Sequence, residues 1–360
     1  MSRRVVIDFR GLSINIQAQC EVALESLCKV EDLLKKVQET SSRLRTDKII
    51  RYEKELIKTQ KEIKSKIDDF VKDLEEYKKY GVYTGYEESG RVLLADELRR
   101  KGDNLSREVS ELTGERFVVL DKLISQELYE SGSRVMERLH DKAHGVLNLD
   151  EKTLEEINKI EDVALRELAY NQYVNSQKSN LTLESVMEEA KEQFNNIIEE
   201  KKDEVIAEYK KELKSKGISS EVITSNMTID EASKAVYQAK TDEKVRQETL
   251  KIIIKTLRGR GFVIDTKNNL KIDRESNIVK LVALKASGQK AEFEIHLNGK
   301  FMYDFDGYEG QACKKDIEPF MEDLKNIYDI EILHEEVIRE NPDKIQTKKY
   351  QYVDTKKGRN

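Results

Sequence analysis

The sequence predicts a mainly α-helical protein: an elongated helical-hairpin or coiled-coil body leading into a small C-terminal α+β domain, an antiparallel meander plus helices. Three observations carry that prediction. No proline occurs before Pro319, so nothing in that stretch removes a helical N–H or forces a kink. Up to Arg258-Gly259-Arg260-Gly261, apolar residues recur three and four apart, the period of one helix face. Beyond it they alternate every second residue between turn signals, the period of a half-buried strand.

Composition supports long helices over one deep core. Charged residues make up 37% of the 360 residues, against roughly 25% in an average soluble protein. The apolar fraction is 38% and stays below the usual range of about 45–50% even with glycine counted in. Acidic and basic residues are interspersed and the net charge is −6, which gives no global attraction to DNA or to anionic membrane. The exception is the end: Lys344, Lys348, Lys349, Lys356, Lys357 and Arg359 face only Asp343 and Asp354 after Asn341, the pattern of a solvated basic tail. Cys20 and Cys28 lie eight apart on one predicted helix, roughly 12 Å along its axis, too far to bond to each other. With no export signal or membrane span expected, the predicted location is cytoplasmic.

The expected divisions are an N-terminal strand over 1–12, a helical hairpin or coiled coil over 13–90 and a helical body over 91–217. A linker with a short helix follows over 218–241, then the α+β domain over 242–335 and a charged tail over 336–360. Val5-Val6-Ile7-Asp8-Phe9 reads as a strand whose natural partner is the C-terminal sheet. The first helix carries Cys20, Leu24, Leu27, Val30, Leu34 and Val37 on one stripe. A second stripe runs Ile49, Tyr52, Leu56, Ile63, Ile67, Phe70, Leu74, Tyr77. It drifts by one place where a strict heptad would not, which favours intramolecular packing over a parallel dimer.

Weak points at Thr113-Gly114 and Gly132 divide the next helices. Asp150 is a candidate N-cap before Leu154, Ile157, Ile160, Ala164 and Leu168. A long stripe from Leu183 to Leu213 ends at Gly217. The β-branched, serine-rich stretch Ile218–Asn226 reads as a linker, and Thr228 with Glu231 makes a capping box before a short helix. A last helix spans about 242–257. Strands are expected over 262–265, 270–273, 278–286, 291–297 and 300–305, with Asn298-Gly299 a strong hairpin turn. A helix over 311–328 closes the domain, Pro319 counting against its continuity.

Candidate chemistry is sparse. Tyr308, Gly310 and Cys313 belong to the string Gly307-Tyr308-Glu309-Gly310-Gln311-Ala312-Cys313, where glycines before a helix aim N–H groups at an anion and an early cysteine has a lowered pKa. The acidic residues around it work against both effects, so a tight strand-to-helix connection is the plainer reading. Arg258 and Arg260 are candidate phosphate contacts, set against glycines that merely end a helix. Glu292, Glu294 and His296 alternate on one strand and form an alternative metal-binding row, though an ordinary polar strand face explains them without chemistry and is the plainer reading. His140 and His144 share a helix face at zinc spacing without a third ligand. No cofactor is expected, and no catalytic motif marks an enzyme.

The Gly307–Cys313 string follows a strand pair and opens a helix. In this it resembles a family of short uncharacterised bacterial α/β proteins that accompany AAA+ ATPases. The resemblance covers residues 290–325 and implies an ATPase-associated adaptor, with no catalytic residues to carry over. The expected function is a non-enzymatic interaction or scaffold subunit of a bacterial multiprotein system, with protein partners that include an AAA+ ATPase. The alternatives are a nucleic-acid-binding or metal-dependent nuclease module and a self-assembling helical tether, a homo-oligomer. The nucleic-acid reading lacks a basic patch, since residues 258–330 hold 12 Lys/Arg against 13 Asp/Glu.

Overall fold

The computed structural model describes residues 3–40, 45–80, 88–137, 150–176, 182–273, 276–297, 300–309, 312–328 and 330–339. In chain order the elements are β1 (Arg3–Gly11), α1 (Leu12–Gln38), α2 (Asp47–Tyr80), α3 (Glu88–Thr113), α4 (Glu115–Glu137), α5 (Glu151–Asn158), α6 (Val163–Ser176), α7 (Leu183–Ser215) and α8 (Ile229–Gly259). Then come β2 (Leu270–Asp273), β3 (Ile278–Leu284), β4 (Lys290–His296), β5 (Phe301–Asp306), α9 (Lys314–Tyr328) and β6 (Ile330–Arg339). The chain divides into a helical unit, Leu12–Lys244, and a sheet unit formed by Met1–Gly11 with Val245–Asn360.

In the helical unit, α1 and α2 form an antiparallel hairpin. Val30, Leu33 and Val37 near the end of α1 share a core with Ile49, Tyr52 and Leu56 at the start of α2. Leu12, Ile16 and Cys20 at the start of α1 instead join Ile67, Phe70 and Leu74 near the end of α2. All eight stripe residues of α2 are buried, each contributing roughly 1.5–3 kcal/mol. On α1 the stripe needs one correction: Leu24 is exposed and Ala23 takes the buried position. Leu98, Leu105 and Val109 of α3 complete one core, and α4, α6 and α7 complete the other.

Helix ends follow local chemistry. Asp150 accepts from the Thr153 N–H at 3.2 Å and starts α5. The stripe expected to continue from there breaks after Asn158, where Asp162 accepts from the N–H groups of Ala164 and Leu165 and opens α6 separately. Gly132 does not interrupt α4. The Thr228–Glu231 capping box is reciprocal, at 2.9 and 3.1 Å. Gly217, at φ 76°, closes α7: the Ile218 N–H reaches the Leu213 carbonyl at 3.0 Å.

Ile218–Asn226 is not a loose linker. Ile218 and Ile223 are both buried around a short 3₁₀ turn at Ser220–Val222. Nor are there two helices after it, because α8 runs unbroken from Ile229 to Gly259. The repeated charge pairs between 238 and 251 are helix-compatible, and no glycine or proline lies there to stop it.

The sheet unit is a six-stranded sheet in the order β2-β3-β4-β5-β1-β6. Every neighbouring pair is antiparallel. The N-terminal strand therefore lies inside the C-terminal sheet, pairing Ile7 with Phe301 on one side and Gly11 with Ile330 on the other. Buried positions alternate along the meander: Val279, Leu281, Ala283; Ala291, Phe293, Ile295; Phe301, Tyr303, Phe305. Ile317, Phe320 and Leu324 of α9 are buried too, with the Phe320 ring 5.4 Å from Phe293 and 6.3 Å from Phe305.

Pro319 sits early in α9 without breaking it. Residues 262–265 do not form the expected strand; only Val263 makes a bridge, to Leu284. Strand β6 was not expected at all, and it places Glu336–Arg339 in the sheet instead of the charged tail. The Asn298-Gly299 turn lies outside the described residues.

Candidate functional site

Gly307 ends β5 at φ 82°, where a Cβ would come within 2.9 Å of the Gly288 carbonyl oxygen. Only glycine fits that approach without strain. The turn brings Tyr308 onto α9, where its hydroxyl donates to Asp316. Asp316 also accepts from Lys285 Nζ at 2.6 and 2.7 Å, and the Lys285 ammonium stands 4.7 Å from the Phe262 ring centroid. Burial, reinforced by the hydrogen bond and charge of Asp316, pushes the Tyr308 phenol well above its ordinary value. Cys313 is buried, with no open face for a reactive thiol. These side chains make a strand-to-helix lock. Gly310 lies outside the described residues.

The Arg258–Gly261 step is a helix cap. Gly261 takes φ 80° and the Phe262 N–H bonds the Leu257 carbonyl at 3.0 Å, the same closure that ends α7. Arg260 bonds Asp323 through Nε at 3.0 Å and Nη2 at 2.6 Å, and its Nη2 also donates to the Pro319 carbonyl. Arg258 is exposed. Two arginines two apart thus have different fates, and they do not converge on one anion.

Glu292, Glu294 and His296 share the partly exposed face of β4, as their alternation requires. Glu294 pairs with Lys280 at 3.0 Å and Glu292 pairs with Lys290. Among the described residues no group of three His, Cys, Asp or Glu side chains gathers to hold a metal ion. His140 and His144 lie outside them. No helix among the described residues is long and apolar enough to cross a membrane.

Sequence reasoning missed a dense polar constellation, a ladder of charges on α1, α7 and α8 of the helical unit. Lys240 bridges Glu212 at 2.9 Å and Glu25 at 3.4 Å. Glu25 also meets Lys216 at 2.8 Å and Lys244 at 3.2 Å; Lys244 reaches Glu21, and Lys29 reaches Glu212. Opposite charges four apart recur throughout the chain, so nothing in the spacing of Glu21, Glu25 and Lys29 marks them out.

Burial opposes ionisation of Glu25, but Lys216, Lys240 and Lys244 outweigh it and hold the carboxyl at about 2. A folded value below the ordinary 4.5 means the pairing is complete above that pH and lost as pH falls toward 2. Thermal melts of Glu25→Gln and wild type should therefore differ most near neutrality and converge between about pH 5 and pH 2. A gap constant across that window would show that Glu25 is not held by its lysines. Asp242 moves the other way, pushed up to about 6 by burial. It lines neither cleft described next, which leaves it a packing feature.

Among the described residues, two open clefts stand out in the helical unit. The larger, about 690 Å³, lies between α1, α4 and α7, and its lysines are all engaged. Lys36 is on Asp121 and Ser125, Lys122 on Glu200, Lys201 on Glu204 and Lys29 on Glu212. The other, about 340 Å³, is lined by α2, α3, α4 and the start of α6. Leu112, Phe117, Leu120 and Val163 reach it half-buried. Acidic residues outnumber basic ones around it: Glu55, Glu62, Glu108, Glu111, Glu161 and Asp162 against Lys58, Lys66 and Arg116. Its walls come from segments some 100 residues apart, so no local motif announces it.

Comparison with protein-family models, with curated proteins and with solved structures finds no match to this chain.

Proposed function

We propose that the protein is a non-enzymatic interaction subunit of a bacterial multiprotein system, acting as an adaptor for a separately encoded AAA+ ATPase. One observation supports this reading above the others. Most of the described side chains that the sequence offers for chemistry are held by neighbours, Arg258 staying exposed, while the helical unit keeps open clefts. Tyr308 is bound to Asp316, Arg260 to Asp323, Glu292 and Glu294 to lysines, and Cys313 is buried. A thiol closed off from solvent is inert, and the paired carboxylates, phenol and guanidinium are already engaged. The ATPase partner rests on the resemblance of residues 290–325 alone.

The test is affinity purification of the tagged protein from its native cells after mild cross-linking. The expected result is a stoichiometric partner that hydrolyses ATP, with a turnover that changes when the purified protein is added. Purification as a lone monomer with its own turnover on a nucleotide or nucleic acid would overturn the reading.

A further inference from the structure

We propose that the cleft lined by α2, α3, α4 and the start of α6 is a docking groove for a basic amphipathic helix of a partner protein. This rests on the reading of the chain as an interaction subunit and gives it a surface and a partner chemistry. The first ground is apolar. Leu112, Phe117, Leu120 and Val163 are left half-buried on one floor, so packing within the unit does not use up their surface. Glu55, Thr59, Glu62 and Lys66 line the groove along α2, a run of roughly 16 Å or three helical turns. A partner helix of that length presents anchors at i, i+4 and i+7.

The second ground is the charge left over once ion pairs are assigned. Lys66 is held by Glu108 at 2.6 Å, Arg116 by Asp162 at 2.8 Å, and Glu55 by Arg166 at 3.1 Å. What remains on the rim is Glu62, Glu111 and Glu161 against Lys58, all exposed. Among the described residues no cation sits on those three carboxylates. The larger cleft has less of this excess, since Lys35, Lys36 and Lys201 hold its Asp32, Asp121 and Glu204 and leave Glu208. An acidic rim rejects nucleic acid and acidic peptides and selects lysine or arginine. The apolar floor in turn discriminates against a purely polar polycation.

The probe is a fluorescein-labelled three-turn helix with leucines at i, i+4 and i+7 and lysines between them, titrated into the full-length protein and followed by anisotropy. Saturable binding is expected, weakening with salt. It should fall at least about tenfold in the double variant Glu62→Lys with Glu111→Lys. A peptide with glutamate in place of each lysine should recover binding to that variant, which also shows the variant to be folded. A peptide with alanine in place of each leucine should not bind. Absence of binding to wild type, equal binding by the double variant, or indifference to loss of the leucines would each overturn the groove. A native partner captured equally by wild type and double variant would also overturn it, while leaving the interaction-subunit reading intact.

Discussion

Deletion of Arg3–Gly11 is expected to unfold the C-terminal sheet instead of merely trimming it. β1 is a central strand, registered on β5 from Arg3↔Phe305 to Ile7↔Phe301 and on β6 from Arg4↔Arg339 to Gly11↔Ile330. Without it β5 becomes an edge and β6 loses the strand it pairs with, so two ladders of backbone hydrogen bonds vanish together. Whole domains are stable by only about 5–15 kcal/mol, too little to absorb that loss. The truncated chain should show weakened strand signal in far-UV circular dichroism, dye-accessible apolar surface and association on gel filtration. A truncated chain that keeps the full-length strand signal and a sharp melt would refute the central placement of β1.

The largest effect expected of a single side chain is that of Phe293→Ala. Phe293 is fully buried at the middle of β4, with ring centroids of Phe301, Tyr303, Phe305 and Phe320 between 5.4 and 6.3 Å away. Its removal leaves a cavity that no flexible neighbour can fill, because those neighbours are themselves rings on fixed strands or on α9. The loss should be about 3–5 kcal/mol by denaturant titration. Glu294→Ala, one residue on and facing the other way, is the internal control and should cost no more than about 1 kcal/mol. If the two variants unfold alike, the assignment of covered and open sheet faces is wrong.

How much of this is legible beforehand depends on whether the signal is local. The α2 stripe is complete because a 3.6-residue period and a one-sided core leave no choice among Ile49, Tyr52, Leu56 and their successors. Leu24 is the exception on α1, where Ala23 takes the buried place and the larger side chain faces out. The caps at Asp150, Thr228 and Gly217 also follow from residues within four positions. What fails is what depends on remote partners. Residues 262–265 look like a strand, yet Phe262 is spent on closing α8. Strand β6 is hidden by His334-Glu335-Glu336, which interrupts its apolar pattern. The same holds for the candidate site. The Gly307–Cys313 string is the most distinctive sequence in the chain and proves to be a lock between β5 and α9. The open groove is built from residues such as Leu112 and Glu62 that resemble any other helical surface.

The placement of β1 also has a consequence in time. It is synthesised roughly 290 residues before the strand it pairs with on β5, and later still β6 must arrive. At about 5–20 residues per second, that is a wait of roughly 15–60 seconds. Throughout it Val5-Val6-Ile7 is an apolar run without a mate, and a strand-forming segment left unpaired is open to pairing with another chain. Arg3 and Arg4 before it, with Asp8 and Arg10 after, are charges at the flanks where gatekeepers act. A strand that joins distant parts of the chain in the finished protein is, on the ribosome, one to be kept apart until its partners exist.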